Sequence, residues 1–280
     1  MIKHFDTKLS ESDFTKIAHF VYEQSGIKLP LVKRPMVEGR LRKRLKVYDF
    51  YCFKQYTQFV LSQKGQEEVV YMIDSLTTNK TDFFREIAHF DYLTHHLLPK
   101  LTAQGIGKNR PLRIWSAGCS SGQEPYTLAM VLEEWNRNNP TIDYSIFASD
   151  ISTRVLKKAK QALYNMSDIT PVPLMMRERY ILKSNSDSSI IKMARNLRKR
   201  ITFHRLNFKD KSYNLPHTMD IIFCRNVMIY FDSPTQETII NHFCANLTAH
   251  GHLFIGHSET VNGLDVPLSM VGSTIYQKDK

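Results

Sequence analysis

The feature that most constrains the fold is an alternation of short apolar runs with helical patterns after Pro111. The apolar runs are LRIWSA, YSIFAS, MDIIFC, HLFIG and STIYQK, and helical spacing occupies 122–138, 152–163 and 234–248 between them. Strands that alternate with helices in this way are typical of a parallel sheet with helices on both faces. We therefore predict an α/β fold for the larger, C-terminal part of the chain.

The first hundred residues show a different pattern, with few strand-like alternations. In 10–25, Ser10 can cap a helix that Gly26 ends, and Phe14 and Ile17 share one face. Similar apolar spacing predicts further helices at 33–47, 50–63, 65–76 and 83–98. This part of the chain is therefore expected to be all-helical.

The two patterns predict a division into domains. We expect a helical domain over 1–76, a linker and connecting helix over 77–100, and an α/β domain over 101–280. Within the α/β domain, the segment from about 180 to 206 breaks the rhythm, because two strand-like runs flank a Ser, Asn and Asp turn region without a helix of normal length. A small antiparallel β insertion is predicted there.

The composition is ordinary for a folded globular protein, since 42% of the 280 residues are hydrophobic and 23% are charged. No stretch approaches the ~20 uninterrupted apolar residues of a membrane span, and the N-terminus lacks the apolar core of a secretory signal. The 4 cysteines have neither CxxC spacing nor a histidine at ligand spacing, which favours a reduced cytoplasm and argues against zinc. The net charge of +11 predicts an anionic partner, which is nucleic acid, an acidic membrane surface or an acidic protein.

The tips of the first two predicted strands carry small and acidic residues. The first strand runs into a turn from Ala117 to Gly122, which lets a ligand approach the backbone, although the full GxGxxG pattern is not met and a ligand-free turn would look similar. Asp150 ends the second strand, where it can accept hydrogen bonds from two ribose hydroxyls or simply cap the next helix. Glu124, in the first turn of the preceding helix, either satisfies the helix N-terminus or holds an ammonium or sulfonium. Together these residues indicate a nucleoside-containing cofactor that needs no pyrophosphate.

Longer motifs carry a resemblance to a known family. In chain order they are TTNKTDFFRE (77–86), RIWSAGCSSGQEPY (113–126), FASDIS (147–152), DIIFCRNVMIYF (220–231) and LFIGHSE (253–259). In sequence and order, over nearly the whole chain, they resemble the CheR family of chemotaxis receptor glutamate O-methyltransferases. The family usually has GEEPY where this chain has GQEPY, and the retained acid is Glu124, the one assigned to the cofactor.

This resemblance implies a small helical domain followed by a Rossmann-like methyltransferase domain, with S-adenosylmethionine as cofactor, S-adenosylhomocysteine as product and no metal. The catalytic residues would be Tyr230, beside the transferred methyl group, and Arg85, which shapes the pocket. From the residues alone, Tyr230 could equally be a core aromatic. The implied cofactor contacts are Asn79, Thr81, Arg85, Ala117, Glu124, Asp150, Asn207, Phe208, Arg225 and Asn226.

A strongly basic segment runs from Lys33 to Lys46, with Glu38 as its single acid. A helix there brings Arg40, Lys43 and Lys46 near one face. Such a run is usually a solvated helix face, but the resemblance points to a docking surface for the acidic methylation helices of a receptor. The expected partner is then the cytoplasmic domain of methyl-accepting chemotaxis receptors. We expect a monomeric, cytoplasmic enzyme without nucleic acid or membrane insertion.

Other functions stay open at this point. A nucleic-acid methyltransferase would suit the positive charge, although CRNV stands at the strand tip where base methylation would need an NPPY or DPPY sequence. A non-catalytic receptor-binding module is the other alternative, although the residues implied for cofactor binding and methyl transfer are intact. Binding of a receptor tail by the β insertion is undecided. The remaining histidine clusters indicate surface or capping roles rather than a metal site, and they are His95, His96, His250, His252 and His257.

Overall fold

The computed structural model describes residues 8–184 and 187–279. Residues 1–7 of the predicted helical domain, residues 185–186 of the SNSDSS turn and residue 280 lie outside the described residues. None of the helices in the two described stretches has both the length and the apolar character needed to span a bilayer.

Amphipathic helices that each bury one apolar face form the N-terminal domain. As predicted, the first helix follows Ser10, whose side chain accepts a hydrogen bond from the Asp13 N–H, and it ends at Gly26 in the left-handed conformation (φ 74°). The apolar faces meet in one core that includes Phe14, Ile17, Val37, Leu41, Phe53, Tyr56 and Met72. The helices are α1 (Glu11–Ser25), α2 (Arg34–Val47), α3 (Phe53–Val60) and α4 (Gln66–Leu76).

A helical segment with an internal irregularity connects the domains. It consists of α5 (Ala88–Tyr92), a π-helical turn (Leu93–Leu97) and α6 (Leu98–Ala103). The helix predicted over 83–98 starts later than expected, because Phe84 and Glu86 adopt left-handed φ angles of 53° and 56° and turn the chain sharply before α5. This turn brings Glu86 under the sheet edge described below.

The C-terminal part forms the predicted α/β domain. Its strands are β1 (Leu112–Ala117), β2 (Tyr144–Asp150), β3 (Leu163–Asn165), β4 (Ile181–Lys183), β5 (Ile190–Met193), β6 (Ile201–Arg205), β7 (Met219–Cys224), β8 (Leu247–Ile255), β9 (Leu268–Gly272) and β10 (Ile275–Lys278). Its helices are α7 (Gln123–Asn138), α8 (Thr153–Gln161), α9 (Leu174–Tyr180), α10 (Arg195–Lys199) and α11 (Ser233–Asn246).

A mixed sheet with the strand order β6-β2-β1-β7-β8-β10-β9 lies at the centre of this domain. The strands β6, β2, β1, β7 and β8 are parallel, whereas β10 is antiparallel to both β8 and β9. The predicted parallel sheet therefore ends in an antiparallel edge that the sequence pattern did not indicate, because the short connection from β9 to β10 at Ser273–Thr274 requires these two strands to run in opposite directions. The predicted fold class, a helical domain followed by a methyltransferase-like α/β domain, is confirmed.

The strand order creates a crevice at the carboxyl ends of β1 and β7. The chain leaves β1 towards β2 on one side and later returns to β7 on the other side. In open α/β sheets, ligands bind where the strand order reverses in this way. Both faces of the sheet are covered, since separate apolar cores lie on its two sides around Leu128 and Phe243.

The small β insertion differs from its predicted range of about 180 to 206. A separate antiparallel sheet has the order β3-β5-β4, and it includes β3, which the sequence pattern did not predict and whose first residue, Leu163, fell at the end of the helix predicted over 152–163. At the other end, β6 pairs in parallel with β2 in the main sheet, so the run RITFHRL does not belong to the insertion. The short helix α10 separates β5 from β6, and a single helical turn was too short to show in the apolar pattern.

Candidate active site

A cavity of about 290 Å³ lies between the helical domain and the carboxyl ends of the parallel strands. Two segments of the N-terminal region cover it, and we refer to residues 25–36 and 76–81 as the cleft roof. The strand tips below form the cleft floor, which we define as Gly118, Ser120, Glu124, Asp150, Arg225 and Asn226. The cavity thus lies at the crevice that the sheet topology indicates.

The turn after β1 brings its backbone close to the cavity. Gly118 has a φ of 83°, and a Cβ atom there would lie 2.6 Å from a methyl group of Val227. Gly122 has a φ of 98°, and a Cβ atom there would lie 2.8 Å from the hydroxyl oxygen of Tyr164. Both positions therefore require glycine, which fixes the path of the turn, and Gly118 exposes its backbone to the cavity.

Asp150 is held at the tip of β2 by backbone groups. Its carboxylate accepts hydrogen bonds from the N–H groups of Ser120 and Ser152, each at 2.9 Å. The side chain is 8% exposed, and burial raises its pKa above the usual range, although the two backbone N–H groups act in the opposite direction. A carboxylate in this position can accept hydrogen bonds from the hydroxyl groups of a sugar.

Glu124 and Arg225 form a buried ion pair across the cavity floor. The Glu124 carboxylate accepts hydrogen bonds from Nε of Arg225 at 2.7 Å and from the hydroxyl of Ser116 at 2.7 Å. Arg225 also donates through Nη1 to the carbonyl oxygen of Arg85 at 2.6 Å. Because both side chains face a cavity while being almost enclosed, they form a fixed charge pattern at its base.

Two further carboxylates support the floor from below. Asn226 has a left-handed φ of 59°, and its N–H donates to Glu259 at 2.8 Å while its side-chain amide donates to Glu86 at 3.2 Å. Glu259 also accepts the Gly256 N–H at 2.6 Å, and burial raises its pKa. The unusual backbone at Asn226 is thus fixed by acceptors from two distant segments.

The charges below the floor influence one another. Burial opposes ionisation of Glu86, but hydrogen bonds from the His257 N–H and Asn226 together with the charge of Arg225 hold its pKa below the usual range. His89 lies beside Arg225, with Nδ1 3.3 Å from Nη1. Burial and the charge of Arg225 lower the pKa of His89 to about 4, so this imidazole is neutral at physiological pH.

The cleft roof connects to the floor through a few polar contacts. The Ser120 hydroxyl donates to the carbonyl oxygen of Asn79 at 2.9 Å, and the Lys28 N–H donates to the carbonyl oxygen of Tyr230 at 2.9 Å. At the side of the cleft, the Asn207 amide donates to the carbonyl oxygen of Gln24 at 2.7 Å. These contacts hold the helical domain against the sheet edge.

Tyr230 and Arg85, the predicted catalytic residues, both line the cavity. Tyr230 ends a short 3-10 turn after β7 and is half-buried. Nζ of Lys33, from the roof, lies 5.8 Å from the centre of its ring. Arg85 donates to the carbonyl oxygen of Lys80 at 3.4 Å. Tyr230, Lys33 and Arg85 therefore contribute a phenol and two cations to the wall of the cavity.

The structure brings most of the predicted cofactor contacts to one cavity. Ala117 differs, because its side chain is 1% exposed and packs in the core, and Gly118 lines the cavity in its place. Arg40, predicted to bind the receptor, directs its guanidinium towards α4, whereas Lys43 and Lys46 are exposed. The predicted contacts that line the cavity are Asn79, Thr81, Arg85, Glu124, Asp150, Asn207, Phe208, Arg225 and Asn226.

Sequence reasoning missed several residues of this network. Glu86 and Glu259 stand at the ends of FFRE and GHSE, motifs that were recognised only as parts of a resemblance. The signal available was an acid next to residues assigned to the site. Ser116 and Ser120 donate to floor and roof acceptors, but no pattern distinguishes such serines from those of an ordinary turn.

One group in the described ranges has the composition of a metal site. Ligand atoms of Glu86, His89 and His257 lie within 4.8 Å of one another. However, Nη1 of Arg225 lies 3.4 Å from Oε2 of Glu86 as well as 3.3 Å from His89. The guanidinium occupies their lone pairs and repels a cation, so we assign this group to the hydrogen-bond network of the floor.

The comparisons with known proteins agree with this site. Residues 12–77 match the family model for the CheR methyltransferase all-alpha domain, and residues 79–277 match that for the CheR methyltransferase SAM binding domain. The chain is 38% identical over 278 residues to the chemotaxis protein methyltransferase of Borreliella burgdorferi, covering 99% of this chain and 97% of that protein. It is 36% identical over 275 residues to that of Salmonella typhimurium, covering 97% and 92%, and 36% identical over 273 residues to that of Escherichia coli, covering 97% and 92%.

The residues of the cavity fit the ligand that this family binds. Asp150 offers acceptors for sugar hydroxyls, the turn after β1 exposes the backbone of Gly118 to the cavity, and the carboxylate of Glu124 suits a positive charge. The matched segments extend over both domains and contain the whole floor. The protein therefore belongs to the CheR family of methyltransferases, and its cofactor is S-adenosylmethionine.

Proposed function

We propose that the protein methylates glutamate side chains of chemotaxis receptors, acting in the cytoplasm on the receptor's cytoplasmic domain. The observation that carries this proposal is the composition of the cavity wall, where Nζ of Lys33 lies 5.8 Å from the centre of the Tyr230 ring and Arg85 lines the same cavity. Two cations in the wall of one cavity attract an anionic acceptor, and the phenol can position it by a hydrogen bond. The names of the relatives, chemotaxis protein methyltransferases, support the same substrate class.

Methylation of a carboxylate acceptor requires no general base from the protein. A glutamate side chain has a reference pKa of about 4.3 and is already the nucleophile at neutral pH. S-adenosylmethionine supplies a methyl group bonded to a positively charged sulfur. The main task of the residues is alignment of acceptor and donor, which is worth roughly 7–11 kcal/mol in well-oriented systems. We assign this positioning to Tyr230, and the shape of the pocket around it to Arg85.

In this proposal, different floor residues contact different parts of the cofactor. Asp150 would hold the ribose hydroxyls, and Glu124 would face the positively charged end. Opposite charges come together and disperse during methyl transfer, so exclusion of water by the cleft roof assists the reaction. Arg225, paired with Glu124, would limit the excess negative charge at the base of the cavity.

The acidic methylation helices of the receptor would dock on the exposed basic face of α2. Lys43 and Lys46 are exposed there, and the overall charge of +11 favours an acidic partner. Lysine makes compact, strongly hydrated contacts rather than bidentate ones. We therefore expect a modest, salt-dependent affinity for the receptor, with the enzyme acting as a monomer.

The linkage formed at the acceptor atom tests the proposal. The protein is incubated with methyl-labelled S-adenosylmethionine and either bacterial membranes rich in chemoreceptors or total nucleic acid, and the product is treated with mild alkali. A glutamate methyl ester releases volatile methanol, whereas methyl groups on base nitrogen or carbon survive. We expect alkali-labile label in the receptor fraction that is lost in Tyr230→Phe and Asp150→Asn variants.

Alkali-stable label in nucleic acid would overturn the proposal in favour of a nucleic-acid methyltransferase. A lack of label in both fractions, with S-adenosylmethionine binding confirmed by calorimetry, would favour a non-catalytic receptor-binding module. Calorimetry on the Asp150→Asn variant measures cofactor binding independently of methyl transfer. Its cofactor affinity should fall by at least ~1.5 kcal/mol, the scale of a hydrogen bond to a charged group.

A further inference from the structure

The basic residues of α2 have different environments. The Arg40 guanidinium donates through Nη1 to the carbonyl oxygens of Leu76 at 2.7 Å and Thr77 at 3.0 Å, and through Nη2 to the hydroxyl of Thr78 at 3.4 Å. Lys43, one turn further along the same helix, is exposed to solvent. The charge of Arg40 is therefore used inside the molecule, although its spacing suggested a place in the docking face.

The groups that Arg40 holds belong to the cleft roof. Leu76, Thr77 and Thr78 all line the cavity, and so does Asn79, which follows them. The far end of this segment is fixed by the Ser120 hydroxyl, which donates to the Asn79 carbonyl oxygen at 2.9 Å. The N–H of the same Ser120 donates to Asp150. The roof segment is thus anchored at one end by Arg40 and at the other end by the floor.

We propose that Arg40 is a positioning residue of the cofactor cleft, which holds residues 76–79 over the cavity. The last carbonyl groups of a helix lack partners within the helix, and a cation there is favourable. The planar fork of arginine can hold two adjacent carbonyl oxygens at a fixed spacing, which the single ammonium of lysine cannot do. Without this fork, binding of the cofactor must order the roof segment as well, and the ordering cost weakens binding.

Two simpler roles for Arg40 predict different results. As a receptor contact, its removal would raise KM for the receptor and leave cofactor binding unchanged. If Arg40 were only a cap for α4, its removal would lower the stability of the helical domain. Cofactor affinity would then fall no more than in any other variant that destabilises this domain equally. The proposal concerns the cofactor and holds whatever the identity of the methyl acceptor, so its failure is distinguishable from failure of the proposed function.

The test compares Arg40→Ala and Arg40→Lys with Arg44→Ala. Arg44 comes from the same helix and also contacts α4, donating to both oxygens of the fully buried Glu68, with Nε 2.7 Å from Oε1. Glu68 does not line the cavity that residues 76–81 cover. Arg44→Ala therefore disturbs the α2–α4 contact without touching the roof segment. S-adenosylhomocysteine binding is measured by calorimetry in the absence of receptor, and stability by urea unfolding.

We expect Arg40→Ala to weaken S-adenosylhomocysteine binding about tenfold, the factor that corresponds to roughly one lost hydrogen bond from a charged donor. Arg40→Lys should retain part of the affinity, and Arg44→Ala should change it less than about twofold despite its loss of stability. In methylation assays KM for S-adenosylmethionine should rise in Arg40→Ala while KM for receptor stays constant.

Unchanged affinity in folded Arg40→Ala and Arg40→Lys variants would overturn the proposal. So would an equal loss of affinity in Arg44→Ala, because the effect would then come from the stability of the helical domain. If Arg40→Ala fails to fold, the comparison of Arg40→Lys with Arg44→Ala decides alone, since Arg40→Lys retains the charge and loses only the fork.

Discussion

The floor and the roof of the cleft are built in different ways. In the floor, Glu124 and Arg225 are 9% and 8% exposed, and each makes more than one hydrogen bond with partners that are themselves buried or constrained. In the roof, the polar contacts to the sheet domain are single and lie at partly exposed positions, such as the hydrogen bond that the Asn79 carbonyl oxygen accepts from the Ser120 hydroxyl at 2.9 Å. Buried hydrogen bonds therefore fix the side chains of the floor, whereas single hydrogen bonds hold the roof against the sheet domain.

This difference separates two tasks of the cleft. Side chains that are locked by buried partners keep their geometry whether or not a ligand is bound, which favours alignment of a reacting group. A cover held by a few contacts opens at lower free energy, which allows ligand exchange. Variants of the floor should therefore act on the stability of the fold as well as on the ligand, and variants of the roof mainly on ligand affinity.

Removal of the Arg225 charge is expected to have the largest effect. Arg225→Met leaves Glu124 and Glu86 as buried carboxylates without their cation. Breaking a buried pair in this way costs about 3–5 kcal/mol of the free energy of unfolding, because the remaining charge is uncompensated. Urea unfolding measures the loss. The double variant Arg225→Met with Glu124→Gln should recover part of it.

A partly exposed ion pair provides the control for this prediction. Nη1 of Arg179 lies 2.6 Å from Oε2 of Glu134, and the two side chains are 30% and 18% exposed. Arg179→Met should cost no more than about 1 kcal/mol, because solvent screens such pairs. If Arg225→Met and Arg179→Met lose the same free energy of unfolding, burial of the floor ion pair does not make it more important for stability than a partly exposed pair.

The pH dependence of stability probes the floor next. His89 has its pKa lowered from 6.5 to about 4, so between these values the unfolded chain binds a proton that the folded protein does not. The free energy of unfolding should therefore fall as the pH drops from 6.5 to about 4. With about 1.4 kcal/mol for each pKa unit, the upper limit for this one group is about 3.5 kcal/mol.

His252 offers a matched comparison, because burial lowers its pKa to about 4 as well. Urea unfolding is measured from about pH 4, the lowered pKa of both histidines, to about pH 7, just above the ordinary histidine pKa. The free energy of unfolding should depend less on pH in both His89→Gln and His252→Gln than in the unchanged protein. Only His89→Gln should also alter S-adenosylhomocysteine affinity, since His89 contacts Arg225. A pH dependence that is unchanged in both variants would contradict the assignment.

The sequence predicted the strand tips of the site because parallel topology leaves little choice. Once β1 and β2 are parallel neighbours, Gly118, which follows β1, and Asp150, which ends β2, must lie at the same edge of the sheet. The helices were equally clear from their apolar periodicity and from caps such as Ser10. The insertion was less clear, because β3 and α10 have 3 and 5 residues and such short elements carry too few residues for a period to show.

The partners of the predicted site residues could not be derived in the same way. Glu86 and Glu259 reach the floor from segments outside the strand and helix alternation, and the left-handed backbone of Asn226 exists only because Glu259 and Glu86 hold it. Helical spacing placed Arg40 near the face of Lys43, but spacing does not say which way a long side chain turns. These features depend on tertiary contacts, which a single sequence does not encode locally.

An intermediate effect is expected where the helical domain caps a helix of the sheet domain. The Asp74 carboxylate accepts hydrogen bonds from the N–H and hydroxyl of Thr153 at 3.1 and 2.8 Å, at the start of α8. Asp74→Ala should cost about 1–2 kcal/mol of the free energy of unfolding, as the loss of a helix cap does. It should also weaken S-adenosylhomocysteine binding, because Asp74 lies two residues before the start of the roof segment 76–81.

The control for Asp74→Ala is Asp168→Ala, which removes a helix cap within the insertion. Asp168 accepts the Asn165 N–H at 3.0 Å in a local capping box. We expect a comparable or smaller loss of stability without any change in ligand affinity. Equal ligand affinity in the Asp74 and Asp168 variants would mean that the contact between the domains does not support the roof.

The smallest effect on the enzyme itself is expected from the outer face of α2, which belongs neither to the floor nor to the roof. Replacing Lys43 and Lys46 with Ala should leave stability within about 0.5 kcal/mol, because both side chains are exposed. It should raise KM for receptor and flatten its dependence on salt, since two charges that attract an acidic partner are gone. Methylation kinetics at low and moderate ionic strength measure both quantities, with S-adenosylhomocysteine affinity as the internal control. If KM and its salt dependence stay unchanged, the basic face of α2 is a solvated surface, and the receptor docks elsewhere on the protein.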